Sequence, residues 1–191
     1  MPISKVMSIS DPNAITTAMS IIQENGTIVF PTDTIYGVAA GAFSPKGIQK
    51  LYCVKERPKD KALPVLIGDL QQLSKLLLTI NDRLLQIVTA FWPGPLTVIA
   101  PKEPDVPPDL SPYPTIGLRM PDLAFTLSLL QTTGPLAATS ANISGGPNPT
   151  TAQDVLEQLD GRVDLILDGG ATPGPVASTV IDVSGSEIKV L

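Results

Sequence analysis

Most of the chemistry this chain could perform is concentrated in a few short segments. KERPKDK (55–61) is its one dense cationic cluster. Lys55 and Arg57 stand at a predicted helix end, Pro58 stops that helix, and Lys61 precedes an apolar run. A guanidinium and two ammonium groups held there suit a polyphosphate, although the same charges also favour a helix C-terminus. PTDTIYG (31–37) follows the apolar run TIVF and sets two threonine hydroxyls and Asp33 at a strand end, where α/β folds place ligands. TIGLRMP (115–121) puts Arg119 at another strand end, on the same face as Thr115. Arg119 can clamp a carboxylate through two parallel hydrogen bonds, or pair with a surface acid. ATSANISG (138–145) ends an apolar run in Ser140 and Asn142, and Thr150–Thr151 opens the next helix. Such turns and helix starts bind anions, and they also serve as ordinary loops. GGATPGPVASTVID (169–182) brings a second Gly/Pro-rich loop to Ser178.

What is missing narrows the choice. The 191 residues contain no histidine and one cysteine, Cys53. Ser-His-Asp and Cys-His nucleophiles, histidine bases, His-ligated zinc and a disulfide framework are therefore excluded. No G-x-x-x-x-G-K-[ST] motif occurs, so the chain has no P-loop, and no G-x-G-x-x-G opens a strand-to-helix turn. The net charge is −5 and aromatics are 4%, which disfavours a base-stacking nucleic-acid platform. No apolar run approaches the roughly 18 residues needed to cross a bilayer, and the N-terminus lacks a signal-peptide core. A cytoplasmic protein with one domain spanning 1–191 is expected.

The elements that must position these groups alternate. Helices are predicted over 11–25, from Ser44 to Arg57, and over 69–77, 81–92, 121–131 and 151–159. Strands are predicted over 27–30, 63–68, 96–100, 115–119, 135–139, 163–168, 178–183 and 187–191. The proline-rich stretch 101–114 lies between two strands and reads as a surface excursion within one domain. The pattern is α/β with a mixed sheet.

In order along the chain, PTDTIYG, Lys55-x-Arg57 followed by Pro58, WPGPLT, TIGLRMP, TSANISG and STVID resemble the YrdC-like family, the threonylcarbamoyl-AMP synthases. The resemblance runs from about residue 10 to the end. It implies a twisted mixed sheet with flanking helices around a large, concave, positively charged cavity. It also implies synthesis of threonylcarbamoyl-AMP from L-threonine, bicarbonate and ATP, with release of pyrophosphate. The product would go to a transferase complex that modifies tRNA. By motif, Thr34, Arg119, Ser140 and Ser178 would bind threonine. Arg57, Lys61, Thr115, Asn142 and Thr150 would bind ATP, and Lys55 with Arg57 would be catalytic. No protein-held metal is implied; Mg2+ would be held mainly through the phosphates. Two departures stand out: Ala62 replaces the family's usual proline, and the chain ends at Leu191 where relatives continue with Arg-Pro-Gly. It is expected to be the single-domain form. Three other readings of the same residues remain open: a non-catalytic structured-RNA or tRNA binder, a Ser-Lys hydrolase using Ser140 or Ser178 with Lys55, and a carbamoyl-adenylate step in cofactor maturation that uses carbamoyl phosphate rather than threonine.

Overall fold

A computed structural model describes residues 3–174 and 176–191. In chain order its elements are β1 (Lys5–Ser8), α1 (Ala14–Gln23), β2 (Ile28–Phe30), β3 (Gly37–Gly41), α2 (Pro45–Lys55) and β4 (Val65–Leu66). They continue with a 3-10 helix (Leu70–Lys75), α3 (Asp82–Phe91), β5 (Leu96–Pro101), β6 (Thr115–Arg119), α4 (Ala124–Thr133) and β7 (Leu136–Ser140). The chain closes with α5 (Ala152–Leu159), β8 (Leu165–Asp168), β9 (Thr179–Asp182) and β10 (Lys189–Val190). The strands form one mixed, twisted ten-stranded sheet in the order β1-β8-β2-β3-β7-β4-β6-β5-β9-β10.

Alternating residues of the central strands enter two cores, one on each face. Ile28, Phe30, Ala39, Leu136, Ala138, Leu165 and Leu167 pack with α1 and α4. Val29, Val38, Ala40, Ala137 and Ile166 face the other way, with Ile48 and Leu51 of α2 and Val155 and Leu159 of α5. Burial on both faces explains why these strands read as continuous apolar runs rather than alternating ones. Ser44 caps α2 by accepting from Gly47 N at 3.0 Å, and Thr151 and Asp154 form a reciprocal capping box on α5.

Several expectations needed adjustment. The helix expected over 69–77 is present as a 3-10 helix, Leu70–Lys75, capped by Asp69. Gln72 accepts from Gly68 N and donates to Leu130 O, drawing the segment onto α4 with i→i+3 turns such as Leu76 N to Leu73 O. In 63–68 only Val65 and Leu66 pair as a strand, bridging β6 and β7. The last strand shrinks to Lys189–Val190. β1 and β3 were not anticipated: β1 is short and mostly exposed, and β3 is built from Gly, Val and Ala. The proline-rich stretch folds back on the core, burying Val106 and Leu110, with Leu63 N donating to Leu110 O at 2.8 Å. Among the described residues, no helix is long and apolar enough to cross a membrane.

Candidate active site

Six strands adjacent in the sheet, from β3 to β9, carry a cavity of about 420 Å³. Its charged lining residues, among those described, are Arg57 and Arg119. Hydroxyls come from Thr32, Thr34, Thr97, Thr139, Ser140 and Ser178. A cavity of this size at strand ends, with few polar groups converging on it, has the form of a small-molecule site.

Arg119 ends β6 and is 6% exposed. Its Nε donates to Gly94 O at 3.1 Å, Nη1 to Thr34 Oγ1 at 3.0 Å and Nη2 to Asp33 Oδ1 at 2.5 Å. Burial pushes the guanidinium below its usual pKa, and the charge and hydrogen bond of Asp33 oppose that shift. Thr32 Oγ1 gives its proton to Ile35 O at 2.7 Å. The 2.9 Å contact between the two threonine hydroxyls therefore runs from Thr34 to Thr32, leaving Thr34 oxygen to accept from Arg119.

Across the cavity, Arg57 is fixed from below by its own loop. Nη2 donates to Ala62 O at 2.9 Å and Nε to Lys61 O at 3.3 Å. Partial burial lowers its pKa, while the Tyr52 and Asp60 charges raise it. Its remaining donors are free to meet an anion. Ser178 Oγ is 2.8 Å from Thr97 Oγ1, a contact made possible by the parallel pairing of β9 with β5.

Lys55 lies beneath the cavity, 2% exposed. Nζ donates to Ser140 O at 2.5 Å, Asn142 Oδ1 at 2.8 Å and Ser140 Oγ at 3.3 Å. Burial and then the Arg57 charge lower its pKa to about 8. The Lys55 carbonyl accepts from Ser144 N at 3.0 Å, and Asn142 Nδ2 donates to Gly146 O at 2.7 Å. Lys55 and Asn142 together hold the 140–146 turn in shape.

The structure thus brings Thr34, Arg57, Arg119, Ser140 and Ser178 to one cavity. Lys55 and Asn142 stand one layer behind it. Lys61, Thr115 and Thr150 do not line it. Lys61 is exposed beyond Arg57. Thr115 shares a strand with Arg119, but at about 3.3 Å per residue it sits roughly 13 Å away. Thr150 gives both its N–H and hydroxyl to Asp154 Oδ2, at 2.8 and 3.0 Å. Sequence reasoning missed Thr97, Thr139 and Asn148 as lining residues. Thr97 closes WPGPLT at the start of β5 and Asn148 lies in GGPNPT, so position within a motif was the available signal.

Known proteins resemble this chain in sequence and in fold. The threonylcarbamoyl-AMP synthase of Bacillus subtilis (strain 168) is 42% identical, over 97% of this chain and 54% of that protein. The crystal structure of Pyrococcus abyssi Sua5 complexed with L-threonine superposes with a TM-score of 0.92 at 36% identity. That match covers 100% of this chain and 56% of the other. Escherichia coli YciO superposes with a TM-score of 0.87 at 25% identity, over 100% of this chain and 95% of that one. The chain spans about half the length of the B. subtilis and P. abyssi synthases it matches. Residues 20–191 match the Sua5/YciO/YrdC family model, described as telomere recombination, so the chain belongs to the Sua5/YciO/YrdC family.

Proposed function

We propose that this chain makes L-threonylcarbamoyl-AMP from L-threonine, bicarbonate and ATP. The threonine amine and bicarbonate form a carbamate with loss of water. A carbamate oxygen then attacks the α-phosphorus of ATP, and the bond to pyrophosphate breaks. The observation that carries this reading is a pair of arginines facing one cavity, Arg119 buried and Arg57 half-buried, each with donors to spare. Arg119, with Thr34, Ser140 and Ser178, receives the amino acid; Arg57 receives the phosphates. Two anions must meet in this step, and fixed cations offset their repulsion without a proton-transferring histidine.

Lys55 acts through the turn bearing Ser140 and Asn142. Lys61, Thr115 and Thr150 belong to the ATP side, outside the described cavity. Asp33 is the carboxylate beside the site, and it is engaged with Arg119. Magnesium is therefore assigned to the ATP substrate, held by phosphate oxygens. The product passes, in the cytoplasm, to a transferase complex that modifies tRNA. Pyrophosphate release from ATP, with threonine and bicarbonate left out in turn, tests the reading. Release is expected only when both are present; equal release without threonine would overturn it.

A further inference from the structure

Asp33 has no part in the reaction as stated, yet it makes one of the two ion pairs among the described residues. The other, between Arg162 and Glu56, lies on the surface. Asp33 stands behind Arg119 rather than in the cavity wall, so its carboxylate meets the guanidinium and not the ligand. A guanidinium carries five N–H donors. Gly94, Thr34 and Asp33 take three, one from each nitrogen. The two left over are one on Nη1 and one on Nη2, as many donors as a carboxylate has oxygens.

The charge of Asp33 has a second consequence. Arg57 has no carboxylate bonded to it among the described residues, whereas Arg119 is balanced by Asp33. A bare buried guanidinium at Arg119 would draw the most highly charged anion present, the polyphosphate. Balanced by a bonded Asp33, it favours a monoanionic carboxylate bound through geometry, and Arg57, which feels Asp60 only at a distance, takes the phosphates. We infer that Asp33 is a positioning and specificity-determining residue: it aims the free end of Arg119 and keeps phosphate out of the amino-acid pocket. This inference rests on the proposed synthase reading of the cavity.

The test uses Asp33→Asn, which keeps the shape and removes the charge, and Asp33→Glu, which keeps the charge and shifts its position. Calorimetric binding of L-threonine without ATP is expected to weaken roughly tenfold in Asp33→Asn, while the KM for ATP stays within about twofold. Inorganic phosphate is expected to compete with threonine in Asp33→Asn and not in the wild type. Asp33→Glu is expected to weaken threonine binding yet still exclude phosphate, which a merely structural role would not produce. Should Asp33→Asn fail to give a cooperative thermal transition, Asp33→Glu decides the matter through the same two measurements. Unchanged threonine affinity, equal weakening of threonine and ATP, or absence of phosphate competition in Asp33→Asn overturns the role of Asp33 alone. Absence of threonine binding by the wild type overturns the synthase reading, and this inference with it.

Discussion

Lys55 carries its charge into the interior against the two oxygens of Ser140 and the amide oxygen of Asn142, all neutral acceptors. Its pKa of about 8 lies below the ordinary 10.5, so the unfolded chain binds more protons than the folded one between those values. Stability therefore rises with pH across that window; the burial penalty on the ammonium is fully present below pH 8 and relieved above it. Relative to Lys55→Met, the wild type is expected to gain up to about 3 kcal/mol between pH 7.5 and 10.5, measured by urea midpoints. A difference that stays flat over that range would show that the Nζ environment is not the one described. The substitution also removes the pin on Ser140 and Asn142, so pyrophosphate release is expected to fall at least tenfold while the fold persists. Residue type and motif order marked Lys55 as functional, but depth was not legible. Whether a lysine faces a cavity or lies behind one is decided by strands far away in sequence, here β7 contributing Ser140.

At the scale of elements, the join between β4 and the 3-10 helix packs backbone directly against backbone. A Cβ on Gly68 would come within 2.6 Å of Gln131 N and 2.8 Å of Leu127 O, both backbone atoms of α4. Gly68→Ala must push α4 away from the sheet, and a loss of about 3 kcal/mol or more is expected in chemical denaturation. Gly174→Ala, where an added Cβ meets nothing within 4 Å, serves as the control and is expected to lie within about 0.5 kcal/mol of wild type. Similar losses for both would place the strain elsewhere. The capped helices α2 and α5 were legible because their signals are local: Ser44 before Pro45, and Thr151 three residues before Asp154. β3 was not, because GVAAG has little intrinsic strand preference and is a strand only between β2 and β7. The 3-10 form of the helix expected over 69–77 was not legible for a related reason. Its apolar spacing suits either form, and the side chain of Gln72 reaching α4 decides between them.

Across the whole molecule, sheet order explains how the cavity is walled. β8 is second in the sheet and β9 is ninth, so residues 169–178 must cross the ends of six strands. The described part of this connection borders the cavity. Ala177 and Ser178 line that cavity, and Thr172 N donates to Thr150 O at 2.8 Å. Tyr36, wholly buried, ties the connection to the other two cavity loops. Its hydroxyl donates to Gly170 O at 2.7 Å and accepts from Gly169 N at 3.1 Å. Its own N–H donates to Pro149 O at 3.0 Å, and its carbonyl accepts from Ala141 N at 2.9 Å. Tyr36→Phe removes only the hydroxyl's bonds to 168–170, where the glycines are exposed and can turn to water, so a stability cost of about 1 kcal/mol is expected. The larger effect falls on the crossing connection. Amide hydrogen exchange at Gly169 and Thr172 is expected to quicken at least tenfold, while exchange in the strand-bound amides of β7 is unchanged. Threonine affinity is expected to fall with it, because Ser178 is carried by the loosened segment. Exchange that quickens uniformly, or not at all, would mean that the connection is held by its pairing with Thr150 and Thr97 alone.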